Sequence, residues 1–117
     1  AAHIGQLRDA EHWCAEQFAY LMDGLRAIPN PEGEGTLLDD TMLLWAKELG
    51  DSRAHVCESV PFIFGGTAGG AIRPGRYLNY PNVPHSRLLV SICQAFGLEN
   101  ETFGDPATGL GGLDGLV

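Results

Sequence analysis

The sequence is short of basic residues and of cysteine. Lys and Arg together number 7 against 15 Asp and Glu, which gives a formal net charge of -8 at pH 7. This excess of negative charge opposes binding to nucleic-acid backbones and to anionic lipid surfaces. The three cysteines are odd in number and widely spaced in apolar surroundings, so we expect buried free thiols rather than a disulfide framework. The composition therefore predicts no nucleic-acid partner.

Long apolar runs and common catalytic patterns are also missing. No apolar stretch approaches the roughly 20 residues that a membrane-spanning helix needs, and the first residues lack the basic and apolar regions of a signal peptide. No Gly-x-Ser-x-Gly pattern occurs, and the glycine-rich stretch 65–70 is not followed by the Lys-Ser or Lys-Thr of a phosphate-binding loop. We therefore expect a soluble chain with no membrane insertion, and the sequence indicates no compartment.

The length of 117 residues is typical of one domain, and we predict a single domain over residues 1–117. Apolar residues recur at spacings of three and four from Ile4 to Ile28, which predicts an amphipathic helix that ends at Pro29. A second helix is predicted from Ser86 to Phe96, since one face is apolar and Gly97 can end it. From Glu99 onward the glycine-rich tail is predicted to be irregular.

Two short apolar runs predict strands. They extend from Thr41 to Ala46 and from Val60 to Phe64, and neither alternates with polar residues. Such runs are typical of strands covered on both faces, as in a parallel sheet. Pro74 and Gly75 then predict a type II turn, and with it a small hairpin between residues 71 and 78. The pattern as a whole predicts an α/β fold.

The loop after the first predicted strand holds the strongest concentration of metal-binding side chains. Glu48, Asp51 and His55 place two carboxylates and an imidazole within eight residues. Such groups bind zinc and hard divalent cations, so Zn, Mn, Mg and Ca are all candidates. A solvated polar loop that binds no metal is the alternative that spacing alone leaves open.

Several segments, taken in order, resemble the C-terminal portion of the domain of unknown function family 1552, a family of exported bacterial proteins related to the alkaline phosphatase and sulfatase superfamily. The resemblance covers nearly the whole chain and rests on the residues 17–21, 35–41, 48–51 with 54–55, 61–70, 75–78 and 102–105. It implies a truncated alkaline-phosphatase-like sheet fragment with an N-terminal amphipathic helix, two core strands, a small hairpin, a second helix and an irregular tail. It also implies that relatives of the chain are exported.

A comparison with cofactor-independent phosphoglycerate mutases, which belong to that superfamily, assigns roles to individual residues. There a strand ends in Asp-His-Gly, and a later His precedes a strand that begins near Val-Pro. The resemblance implies that His55 matches a metal ligand and that Glu48 replaces a ligand Asp. Leu49 stands where the ligand His would be and cannot bind a metal. The superfamily's nucleophile and first metal carboxylates lie far upstream, in a region for which 117 residues leave no room.

Two classes of function follow. In the first, the chain is a non-catalytic fragment or a structural association unit, because metal-assisted phosphoryl or sulfuryl transfer needs the nucleophile and the ions together. In the second, Glu48, Asp51 and His55 form part of a phosphatase-like or sulfatase-like site that another chain or a second copy completes. A fragment of a larger sheet would expose apolar surface, so we also expect a homodimer that covers it.

Overall fold

The computed structural model describes residues 2–117 and has a small mixed α/β fold. Three helices accompany one antiparallel sheet of two strands. In chain order the elements are α1 (Ala2–Arg26), α2 (Leu37–Asp40), β1 (Leu43–Ala46), β2 (Phe62–Gly65) and α3 (Ser86–Ala95), followed by a short 3-10 helix (Pro106–Thr108). An α/β fold is therefore confirmed in this general form.

The first helix forms where the apolar spacing predicts it. α1 spans 25 residues and ends just before Pro29, because proline has no backbone N–H and cannot continue a helix. The chain then turns sharply and returns to the end of α1, since the backbone N–H of Leu37 donates to the carbonyl of Ile28 at 2.9 Å. This turn brings the short helix α2 against α1.

Both predicted strands exist, but their arrangement differs from the prediction. β1 and β2 pair antiparallel, with Leu43 opposite Gly65 and Ala46 opposite Phe62. The expectation of parallel strands is therefore wrong. The strands are also not covered on both faces, because half-buried and exposed residues alternate along most of each strand. Each strand has one partner among the described residues, so each has one open edge.

The small hairpin predicted between residues 71 and 78 is also wrong. No strand forms in this stretch, although Gly75 has the positive φ of 74° that a type II turn requires at that position. The turn is instead closed by the side chain of Arg76, whose Nε atom donates to the carbonyl of Arg73 at 2.8 Å. The positive φ of Gly75 agrees with the predicted turn, but the flanking segments do not pair.

The third helix and the tail form the most tightly packed part of the molecule. α3 ends before Gly97, whose φ of 79° allows its N–H to donate to the carbonyl of Gln94, as predicted for a C-terminal glycine cap. Val90 and Ser91 of α3 are almost completely buried. The tail, which is irregular apart from the 3-10 helix, crosses α3 and is held there because Ser91 Oγ accepts from the N–H of Leu113 at 2.6 Å.

The buried core is small for a chain of this length. Its apolar members are Leu38, Ala68, Ile72, Leu88, Val90 and Leu116. The radius of gyration is 16.3 Å, against about 13 Å for a compact domain of the same length. Burial of the thiols was predicted incorrectly, since Cys14 and Cys57 are exposed, although all three cysteines are free thiols. Across residues 2–117, no helix is both long and apolar enough to cross a membrane.

Candidate functional site

The loop between β1 and β2 carries the three predicted metal ligands. Its first part is a tight turn closed by a pair of hydrogen bonds between Asp51 and Val56. Gly50 permits this turn, since a Cβ atom there would lie 1.7 Å from the carbonyl oxygen of Glu58. The local fold of this loop is thus determined by backbone packing at a single glycine.

The carboxylate of Asp51 is occupied within its own turn. Its Oδ1 atom accepts hydrogen bonds from the backbone N–H groups of Arg53, at 2.8 Å, and Ala54, at 3.2 Å. Aspartate commonly caps its own turn in this way, by accepting from backbone two or three residues onward. The turn therefore gives Asp51 a structural role that spacing alone did not predict.

Glu48, Asp51 and His55 are all exposed. His55 adopts a left-handed backbone conformation with φ of 54°, which is uncommon for residues other than glycine. In the part of the chain that the structure describes, no three His, Cys, Asp or Glu side chains come together as a group able to hold a metal ion. The predicted ligands thus share one loop, and a divalent metal there stays a prediction.

A cleft of about 890 Å³ lies between β2, the irregular segment 72–85 and the tail. Polar and apolar surface contribute almost equally to its walls, and the rings of Phe62 and His85 stack with their centroids 6.5 Å apart. Arg76 closes one side, because its guanidinium donates to the carbonyls of Gly115 and Leu116 at 2.6 and 3.0 Å. This arginine therefore attaches the tail to the segment after the Pro74 turn.

The third feature with functional potential is the exposed apolar surface of α1. Ile4 is 73% exposed, Leu7 65% and Trp13 60%. In an amphipathic helix, large apolar side chains usually pack against the rest of the protein. Residues 3–17 of the helix are exposed except for Gly5, so the sheet covers only the C-terminal half. A shallow groove of about 450 Å³ runs between this helix and Leu44 to Ala46 of β1. Sequence reasoning predicted the apolar face but not that half of it lies uncovered.

A polar cluster at α2 lowers the pKa of a carboxyl group, that of Asp39. Oδ2 of Asp39 accepts from the backbone N–H of Thr36 at 2.7 Å and from its hydroxyl at 2.9 Å. These hydrogen bonds stabilise the charged form and lower the pKa of Asp39, and the positive charge of Arg26 acts in the same direction. The carbonyl of Asp39 also accepts from Gly69 N at 2.8 Å, which joins α2 to the turn after β2.

Comparison of the chain with protein-family models, with curated proteins and with solved structures finds no match. The described residues themselves carry three features with functional potential. They form a loop with three exposed side chains of types that can bind metals, a cleft of mixed polarity and a long helix with an uncovered apolar face.

Proposed function

We propose that the chain is a structural association unit that does not catalyse a reaction on its own and that forms a homodimer. The observation that carries this proposal is the large exposed surface, 8429 Å². A compact monomer of this size exposes about 6,200 Å². The excess is roughly 2,300 Å² and contains many large apolar side chains, which favours a partner that covers part of it.

The finer interpretation is that the single domain is the C-terminal part of a larger alkaline-phosphatase-like fold whose relatives are exported. The resemblance of its motifs to the domain of unknown function family 1552 supports this interpretation. The open edges of β1 and β2 are consistent with it, because strands taken from a larger sheet lose their neighbours. The charge of -8 further supports a protein partner over a nucleic acid.

Sedimentation equilibrium of the purified chain at micromolar concentration tests the association. We expect the mass of a dimer, and we expect a shift toward monomer on dilution. A monomer at all accessible concentrations would contradict the proposal. Assays with phosphate and sulfate esters should give no turnover in the same preparation, because the nucleophile and first metal carboxylates of the resembled superfamily have no counterpart here.

A second candidate function is a metal-dependent phosphatase-like or sulfatase-like site that a second copy completes. The observation that favours it is the left-handed backbone of exposed His55, since uncommon backbone conformations are enriched at functional sites. Glu48 and Asp51 lie in the same loop and would supply oxygen ligands for Zn, Mn, Mg or Ca.

Elemental analysis for these four metals, on the wild-type chain and on His55→Ala, tests the second candidate. Stoichiometric metal that the variant loses would support it and would justify a screen of phosphate and sulfate esters. His12→Ala is a matched control, because His12 is an equally exposed imidazole on α1. Absence of metal from the wild-type chain, purified without chelators and then incubated with each ion, would rule the second candidate out.

A further inference from the structure

The apolar positions of α1 follow a seven-residue repeat. Spacings of three and four alternate through the helix, over the positions Ile4, Leu7, Glu11, Cys14, Phe18, Leu21 and Leu25, of which Glu11 is the charged exception. A repeat that averages 3.5 residues is the pattern by which two helices pack along a common seam. We call these seven positions the α1 seam.

The molecule itself covers only the C-terminal half of the α1 seam. There the ring of Phe18 packs on Trp45, with centroids 6.1 Å apart, and Phe18 and Met22 reach the backbone of Gly65. Toward the N-terminus the last bond to the sheet is the one between Glu11 and Lys47. Before Glu11 the helix continues for nine residues, or about 13 Å, at a rise of 1.5 Å per residue. Ile4 and Leu7 of the seam lie on this projecting part.

We propose that a second copy of the chain covers the N-terminal half of the α1 seam, with the two α1 helices packed antiparallel about a two-fold axis beside Leu7. This inference rests on the proposed association and names its surface and its partner. The same apolar stripe is present on both copies, so it is complementary to itself, as a two-fold interface requires. The side chains that flank this half of the seam include Ala10, which is small and uncharged, and Arg8, whose long side chain is 81% exposed and can keep its charge in solvent beside the seam.

Two features favour the antiparallel orientation. In a parallel pair Glu11 would face its own copy within the seam, and two like charges at such a position repel each other. In each copy, the sheet and α2 pack on the C-terminal half of α1. An antiparallel pair of α1 helices therefore places the packed parts of the two copies at opposite ends of the dimer. The contact is short, since an antiparallel pair centred on Leu7 overlaps over residues 2–12, or about 16 Å of helix.

The surface is tested by sedimentation equilibrium of Leu7→Asp with Gln6→Asp as its control. Both variants place the same carboxylate on the same turn of α1, but Gln6 points away from the seam. Leu7 is 65% exposed in one copy, so the substitution should leave the folded chain intact by circular dichroism. We expect Leu7→Asp to weaken the dimer at least about a hundredfold, since both copies lose the contact, and Gln6→Asp to change it less than about threefold.

The outcomes separate this inference from the association itself. If the wild-type chain is a dimer and Leu7→Asp is an equally stable dimer, the α1 seam is not the interface although the chain still associates. If the wild-type chain is a monomer, the proposed association fails as well. If the wild-type chain is a dimer that Leu7→Asp disrupts and Gln6→Asp does not, the result supports the α1 seam as the interface.

Disulfide cross-linking tests the orientation, in a background with Cys57→Ser. In a parallel pair, the Cys14 residues of the two copies would lie side by side. In an antiparallel pair centred on Leu7, they would lie about 21 Å apart along the helix axis. We expect no covalent dimer through Cys14 on mild oxidation. We expect a rapid covalent dimer in Leu7→Cys with Cys14→Ser, because residue 7 lies at the axis. Rapid cross-linking through Cys14, or none in Leu7→Cys, would overturn the antiparallel pair.

Discussion

The Nζ atom of Lys47 lies 2.5 Å from the Oε1 atom of Glu11, and this ion pair joins the end of β1 to the middle of α1. Both side chains are partly exposed, so the pair itself contributes at most about 1 kcal/mol to stability. The position of this ion pair is more informative than its contribution to stability, because it marks where α1 extends beyond the sheet. The half-buried side chains of α1, those of Phe18, Met22 and Leu25, all come after it, whereas residues 3–10 are exposed except for Gly5.

The packing of α1 on the sheet predicts a contrast between two aromatic residues of one helix. Phe18 is half-buried against Trp45, whereas Tyr20 is 78% exposed. Phe18→Ala should lower the free energy of unfolding by about 2–4 kcal/mol, as expected for loss of a packed aromatic ring. Tyr20→Ala should cost less than about 0.5 kcal/mol. Urea titration of both variants measures the difference, and equal effects would contradict the packing of α1 through Phe18.

Two glycines after β2 allow a backbone clash to be separated from backbone strain. Gly66 and Gly70 both have positive φ, at 83° and 90°, so alanine at either position costs about 1–2 kcal/mol in strain. A Cβ atom at Gly66 would also lie 2.1 Å from the carbonyl oxygen of Thr41. A Cβ atom at Gly70 would have no other atom within 4 Å.

We therefore expect Gly66→Ala to be destabilised by at least about 2 kcal/mol more than Gly70→Ala. The carbonyl of Thr41 cannot easily move away from such a Cβ atom, because it accepts a hydrogen bond from the backbone N–H of Ala68 at 3.1 Å. Thermal unfolding of the two variants provides the comparison. If Gly70→Ala were the less stable of the two, the close approach of Thr41 to the turn would be incorrect.

The lowered pKa of Asp39 predicts a stability that depends on pH. A carboxyl group whose pKa is lower in the folded chain than its ordinary value of 3.8 stabilises the fold above that value. The contribution is lost as pH falls through the lower, folded-state pKa. The urea midpoint of the wild-type chain should therefore decline below about pH 4, and part of this decline should be missing in Asp39→Asn.

Glu34→Gln is the control for the pH experiment, because it removes a nearby carboxylate that accepts no hydrogen bond among the described residues. It should retain the wild-type decline below pH 4. A decline of equal size in the wild type and in Asp39→Asn would show that the hydrogen bonds from Thr36 are not formed in solution.

The hydroxyl of Ser91 should contribute to the attachment of the tail. Ser91 is 1% exposed and accepts from the backbone N–H of Leu113. Ser91→Ala leaves that N–H without its partner, so we expect a loss of about 1–3 kcal/mol in the free energy of unfolding. Ser52→Ala, at an exposed position, should change stability by less than about 0.5 kcal/mol. Faster amide hydrogen exchange at Leu113 in Ser91→Ala, but not in Ser52→Ala, would locate the effect in the tail.

Local sequence signals predicted the two longer helices, α1 and α3, well, but they did not indicate the four-residue helix α2. The spacing of apolar residues defined α1, and Pro29 placed its predicted end three residues beyond Arg26, where the helix stops. Gly97 likewise placed the end of α3, because both residues act through their own backbone chemistry. Such signals depend on neighbours in the sequence and can be interpreted without knowledge of the fold.

The strand pairing and the candidate site depend on contacts that local patterns do not contain. The run of apolar residues in β1 is equally compatible with a parallel and an antiparallel neighbour, and the choice is made by the loop that returns the chain to β2. At the site, the spacing of Glu48, Asp51 and His55 could indicate the type of ligand atom. It could not indicate that backbone N–H groups of the same turn would occupy the carboxylate of Asp51.

The open edges of β1 and β2 affect how the chain should be handled at high concentration. An antiparallel pair of helices closes on itself, and its growth stops at two copies. Two free strand edges on one sheet do not close in this way, since each copy can accept another on either side. Concentrated preparations should therefore form fibrous, open-ended aggregates in addition to the dimer, and a lysine introduced at the outward-facing Ile63 should suppress the fibres while leaving the dimer intact.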